Sequence, residues 1–266
     1  MTLAVDDLAV HFGGVAALAG VSFAVAPGTI TSLIGPNGAG KTTAFNAITG
    51  YLRPSRGRVS YAAQPLTGLR PCEIARRGVV RTFQKTSVFP ALSVAENVMI
   101  GLHLRGRAGV WSILGARRWV RDEEGRLTAA AGEILDFVGL EGRSRERASE
   151  LPYGEQRLVE LAVALAARPR VLLLDEPAAG MAGSERDRLV GLIQRVREQS
   201  VTVFLVEHDM RLVMGISDTV IVLNHGRVIA EGPPAAIQTH PEVIRAYLGS
   251  AGAEGPAGTA PPGAPS

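Results

Sequence analysis

The stretch Gly35-Pro36-Asn37-Gly38-Ala39-Gly40-Lys41-Thr42-Thr43 has the residue types and spacing to hold a triphosphate. Its glycines let the backbone turn tightly and bring N–H groups onto phosphate oxygens. Lys41 supplies a point charge for the β- and γ-phosphates, and the Thr42 hydroxyl can ligate Mg²⁺. A second group, Asp175-Glu176, closes the apolar run Val171-Leu172-Leu173-Leu174. Asp175 can hold Mg²⁺, and Glu176 is the candidate general base that polarises an attacking water. Two acids at a strand end are ordinarily just solvated. Downstream of a phosphate-binding loop they read as the other half of one site.

The elements around the loop fit this chemistry. The apolar residues 30–34 read as a buried strand, and a helix begins at Ala44. Strand, glycine loop and helix with the spacing G-x-x-x-x-G-K-T make a P-loop. The helix N-terminus adds partial positive charge beside the phosphates. The expected fold is therefore α/β. Strands are expected at 3–10, 18–25, 58–61, 79–83, 171–174 and 201–206, with a hairpin at 219–230. Arg53 to Gly57 reads as a turn. Helices are expected at 71–77, 128–138, 154–167, 184–199, 209–215 and 241–248. From Ser93 the pattern turns helical, and Ser93 with Glu96 forms a capping box. Residues 101–125, rich in Arg and Gly and containing Trp111 and Trp119, read as a loosely connected insert. Residues 250–266 are almost only Ala, Gly, Pro, Ser and Thr, which cannot bury apolar surface, so a disordered tail is expected.

Composition narrows the function class. In 266 residues, 46% are hydrophobic, enough for a sizeable core. The 28 Lys+Arg against 25 Asp+Glu leave +3, too balanced to suggest nucleic acid. The single Cys72 rules out an internal disulfide or a multi-cysteine metal site. No apolar run approaches the roughly 20 residues of a membrane span. The N-terminus has neither a basic region nor an apolar signal core. A soluble cytoplasmic protein is expected, reaching any membrane through partners.

Ahead of the acidic strand, Leu151-Pro152-Tyr153-Gly154-Glu155-Gln156 opens a helix. The order P-loop, Gln84, this motif, Asp175-Glu176, then His208 resembles the ATP-binding subunit of ATP-binding-cassette (ABC) transporters, whose signature sequence is Leu-Ser-Gly-Gly-Gln. The resemblance runs from about residue 3 to 248. It implies a P-loop core with an N-terminal antiparallel β-part and a helical part at about 93–168, within one cassette over 1–249. Phe12 then matches the aromatic that stacks on adenine, with His11 a weaker candidate. Gln84 matches the glutamine that senses Mg²⁺ and the γ-phosphate. His208 matches the switch histidine that holds Glu176 and water in line. Tyr153, Gly154 and Glu155 fall in the signature, which faces the ATP of a second copy or paralogue. His103, His225 and His240 read as surface residues.

Further stretches, Val80-Arg81-Thr82-Phe83-Gln84, Asp175-Glu176-Pro177-Ala178-Ala179-Gly180 and Glu207-His208-Asp209-Met210 among them, resemble the branched-chain amino acid importer subfamily. Urea and amide importers share much of this pattern. The implied cofactors are ATP and Mg²⁺. The implied partners are integral membrane permease subunits, a second ATP-binding subunit (homo- or heteromeric) and, indirectly, a solute-binding protein, at the cytoplasmic face of the membrane. Two positions depart from the family pattern. Pro152 stands where the signature has serine, so a hydroxyl and an N–H are missing. Ala182 stands where the loop after the acidic pair has aspartate. Weaker ATPase activity is expected from both. A soluble ABC ATPase would carry two cassettes or a long coiled-coil insert. A P-loop kinase would have no use for the signature.

Overall fold

The strand patterns divide the chain into two sheets. The computed structural model describes residues 2–82, 88–103 and 117–251. Strands β1 (Leu3–Phe12), β2 (Val15–Val25), β4 (Arg56–Tyr61) and β5 (Gln64–Pro65) form an antiparallel sheet in the order β2-β1-β4-β5. Strands β3 (Ile30–Ile34), β6 (Val79–Arg81), β7 (Val171–Asp175), β8 (Thr202–Val206), β9 (Thr219–Asn224) and β10 (Arg227–Gly232) form a second sheet in the order β10-β9-β3-β8-β7-β6. Its strands run parallel except β10, which pairs antiparallel with β9. β3, β7 and β8 are buried throughout, Thr31, Ser32 and Thr202 included, as strands covered on both faces must be.

Side-chain alternation sorts the core. Val171 and Leu173 of β7 and Phe204 and Val206 of β8 point to a cluster shared with the antiparallel sheet. Phe45 of helix α1 (Lys41–Ile48) packs there on Phe204, with ring centroids 5.0 Å apart. Leu172, Leu174, Val203 and Leu205 point to the opposite cluster. That side is covered by α3 (Val94–His103), α4 (Arg117–Val138), α5 (Tyr153–Ala166) and α6 (Gly183–Glu198). A third, smaller cluster joins Ile34 to α7 (Met210–Ile216), α8 (Pro234–Gln238) and α9 (Pro241–Ala251). The Ser93 capping box is present: Ser93 N–H donates to Glu96 Oε2 at 2.7 Å, and Glu96 N–H to Ser93 Oγ at 3.2 Å.

Several element boundaries differ from the sequence reading. Helix α4 begins at Arg117, within the expected loose insert, so that Gly125 lies inside a helix. Strand β4 takes in Arg56 and Gly57, read above as part of a turn, because Arg56 pairs across to Ala9. The short β5 and α8 had no periodic signal long enough to find. Helix α2 (Pro71–Arg76) lies where expected. Phe83 and Gln84, Trp111 and residues 252–266 of the expected tail lie outside the described residues, as does the His103 side chain.

Candidate functional site

The C-terminal ends of β3, β8, β7 and β6 lie along one edge of the second sheet, where α/β proteins place their ligands. β3 delivers the P-loop, β7 delivers Asp175 and Glu176, and β8 between them delivers Glu207 and His208. The loop is fixed from both sides. Ala39 N–H donates to Pro36 O at 3.1 Å inside it, and Gly226 N–H from the β9–β10 turn donates to Ala39 O at 3.0 Å. Gly40 caps α1 with φ 105°, a left-handed conformation, and a side chain there would stand 2.6 Å from Ala17 O. Only glycine satisfies both constraints. Gly35, Pro36, Asn37 and Gly38 complete the turn, and Thr42 and Thr43 occupy the first turn of α1.

Lys41 Nζ donates to Gly35 O at 2.7 Å and to Pro36 O at 3.1 Å, so its ammonium sits over the loop. Burial pushes its pKa down, while the nearby charges of Glu176 and Asp175 push it back up. The structure thus brings Lys41 and both acids into one electrostatic neighbourhood. Glu176 is one of the few non-glycine residues with positive φ, at 47°. Such a backbone stores about 1–3 kcal/mol of strain, and it persists where the surroundings dictate it. Here Glu176 N–H donates to Val206 O at 2.9 Å, and Ala179 N–H closes back onto Glu176 O.

Asp175 is 1% exposed and forms an ion pair with Arg81 of β6, Nη2 to Oδ2 at 2.6 Å. The sequence reading gave Arg81 no role. One signal was available: it is the single charged residue in the otherwise apolar Val79-Val80-Arg81. Removing one partner of a buried pair costs about 3–5 kcal/mol. The other carboxylate oxygen, Oδ1, is buried and has no hydrogen-bond partner among the described residues. A buried carboxylate oxygen with no hydrogen-bond partner among the described residues fits a hard cation. Such an ion takes its remaining ligands from phosphate and water.

His208 lies beyond β8 with its side chain 66% exposed, and its Nδ1 is 3.7 Å from Glu207 Oε2. Glu207 is buried, and its Oε1 accepts from Ala178 N–H at 2.9 Å, tying the end of β8 to the loop after Glu176. Asp209 caps α7 through the N–H groups of Arg211 and Leu212 and pairs with Arg186 at 2.7 Å. The backbone donors and Arg186 hold its pKa below the usual range. Phe12 ends β1 opposite Val15 and is 54% exposed, an open apolar face. His11 beside it is also exposed. His225 is exposed as expected, whereas His240 is half-buried, its Nδ1 enclosed. Tyr247 of α9 reaches the start of the P-loop, its hydroxyl in hydrogen-bond contact with the Gly35 backbone, and burial pushes its pKa up to about 12. Nothing local in the sequence pointed to that approach.

The signature stretch is coherent. Pro152 is the N-cap of α5, with φ −55° and ψ 152°, and no side chain caps the helix. The amides of Tyr153, Gly154 and Glu155 open the helix, as expected. Glu155 pairs with Arg143 at 3.3 Å. A side chain at Gly154 would run into the Glu185 carboxylate at the start of α6, and the Tyr153 ring packs on Gly180. Ala182 is the N-cap of α6 and offers no side-chain acceptor; Glu185 Oε2 instead accepts from Ala182 N–H at 2.9 Å.

Comparison with known proteins agrees with this geometry. Residues 18–179 match the family described as ABC transporter, and residues 227–253 match the one described as branched-chain amino acid ATP-binding cassette transporter. The chain is 43% identical to the high-affinity branched-chain amino acid transport ATP-binding protein LivG of Escherichia coli, covering 94% of this chain and 98% of that one. It is 42% identical to BraF of Pseudomonas aeruginosa, with the same coverage. Among solved structures, a nucleotide-free ATP-binding cassette from an ABC transporter superposes with a TM-score of 0.81 at 32% identity, over 93% of this chain and 99% of that one. The ADP conformation of an ATP-binding cassette of an ABC transporter gives 0.82 at 33% identity, over 94% of this chain and 99% of that one. The chain belongs to the ABC transporter family, as one of its ATP-binding and ATP-hydrolysing cassettes.

Proposed function

We propose that this chain is the subunit that drives an importer of branched-chain amino acids from the cytoplasmic face of a membrane. The observation that carries the ATPase reading is the meeting of Lys41, Asp175 and Glu176 at one sheet edge. The cargo rests on what the relatives are named for transporting, together with the match over residues 227–253. No helix among the described residues is long and apolar enough to cross a membrane, which suits a subunit docked on permease partners.

In this reading one cassette spans 1–249, with its helical part at about 93–168, where α3, α4 and α5 contact one another. Phe12 stacks on adenine. The amides from Gly35 to Thr43 and the Lys41 ammonium hold the phosphates. Asp175 and the Thr42 hydroxyl would hold Mg²⁺, with Gln84 reaching the same ion. When bound there, Mg²⁺ would supply positive charge against the phosphate oxygens. Glu176 accepts the proton of the attacking water, and His208 orients the two. Positioning and charge account for most of the rate. With one P-loop and one signature per chain, two chains must pair to complete each site. Membrane vesicles carrying the chain with its permease subunits are expected to take up labelled leucine in the presence of ATP. Uptake of urea or an amide instead would reassign the cargo, and no association with a membrane subunit would remove the transport role.

The Pro152 departure gives a graded test. Pro152→Ser would offer a hydroxyl and an N–H at the helix opening that faces the partner's nucleotide. One hydrogen bond to a charged group is worth about 1.5–3 kcal/mol, roughly a tenfold to hundredfold effect. The variant is expected to tighten ATP-dependent pairing and raise turnover in the assembled complex, while ATP affinity of the single chain stays the same. A change confined to single-chain affinity would place the signature on its own nucleotide.

A further inference from the structure

We infer that Arg81 is a positioning residue that braces the two halves of the Mg²⁺ site against each other. The inference rests on the nucleotide-site reading above. Thr42 lies on α1 and Asp175 at the end of β7, elements that share no backbone hydrogen bonding with each other. Arg81 connects them. Its Nη2 holds Asp175 Oδ2 at 2.6 Å, while its Nη1 donates to Asn46 Oδ1 at 2.7 Å and Thr49 Oγ1 at 3.4 Å, both on or directly after α1. The guanidinium carbon lies 5.5 Å from the Phe45 ring centroid, also on α1. The side chain is only 6% exposed, so water cannot substitute for these contacts.

The geometry selects arginine. A planar fork can grip a carboxylate on one arm and an amide on the other, whereas a lysine ammonium acts as a single point. With Oδ2 occupied, the carboxylate cannot rotate freely, and its unpartnered Oδ1 is the oxygen left for a cation. The brace therefore sets both which oxygen is presented and how far it stands from the helix bearing Thr42. Outer contacts of this kind govern metal affinity without touching the metal.

The test separates metal affinity from nucleotide affinity. ADP binding by the full chain is followed calorimetrically across a MgCl₂ titration and again in EDTA. Arg81→Lys is expected to raise the Mg²⁺ concentration for half-maximal enhancement by about 10-fold or more. Affinity for ADP in EDTA should match wild type. Asn46→Ala keeps the ion pair but removes the shorter of the two hydrogen bonds from Arg81 to this side of the site, and should shift the Mg²⁺ midpoint in the same direction by a smaller factor. That second variant decides the matter if Arg81→Lys folds poorly. An unmoved Mg²⁺ midpoint in Asn46→Ala, or equal losses with and without Mg²⁺, would overturn the brace. Failure of wild type to bind ADP under either condition would instead strike the nucleotide-site reading.

Discussion

Glu176→Gln is expected to bind ATP as tightly as wild type and to turn it over at least about 10²–10⁴ times more slowly, the range for loss of a general base. The substitution keeps the side chain's shape and removes its proton acceptor. It also leaves the backbone strain at φ 47° in place, so the loop after β7 should keep its geometry. With its partner subunit, the variant should accumulate as an ATP-bound pair that does not reopen. Single-turnover hydrolysis and size-exclusion chromatography with ATP are the measurements. Hydrolysis at the wild-type rate would move the base elsewhere, with His208 the next residue to test. That side chain stands in solvent beside Glu207, so it would need to swing inward when nucleotide arrives.

The second large effect is expected at Lys41. Its ammonium is held over the loop by Gly35 O and Pro36 O, which fixes the charge beside the glycine-rich turn. Lys41→Ala removes a charged hydrogen-bond donor worth about 1.5–3 kcal/mol, which corresponds to roughly a tenfold to hundredfold weaker ATP affinity. Hydrolysis should fall below detection, because the same charge offsets the negative charge growing on the transferred group. The substitution also frees two loop carbonyls, so thermal unfolding must be measured beside ATP binding. A stable variant with undiminished turnover would refute the P-loop assignment.

Much of this site was legible because its chemistry is local. The P-loop, the Asp175-Glu176 pair and His208 each follow a buried strand within a few residues, and strand ends in a parallel sheet converge. Arg81 was not legible, since its partner is 94 residues away and nothing within the strand says which carboxylate it meets. Tyr247 was missed for the same reason, its contact with Gly35 arising only when α9 folds back. The early start of α4 was hidden by composition. Arg- and Gly-rich sequence carries little helical preference by pattern alone, and packing of its later turns on α3 and α5 extends the helix backwards. The Glu155 carboxylate meets a tertiary partner, Arg143, that no reading of the motif could supply. Gln84 lies outside the described residues, and its role stays with the proposal.

The contacts of Tyr153 with Gly180 and of Gly154 with Glu185 join the opening of α5 to the loop that follows Glu176 and to the start of α6 behind it. In the proposed pair of cassettes, α5 would meet the neighbour's nucleotide while that loop would serve the chain's own. Close-packed contacts of this sort transmit small displacements, because neither side can yield without the other. The two nucleotides of a pair would then not be independent. Arrival at one would be registered mechanically at the other, and ATP turnover by the assembled pair should rise with a Hill coefficient above one. The packing at Gly154 and Gly180 would be the hinge pin of that communication, and a bulky residue at either glycine would uncouple the two sites before it abolished either one.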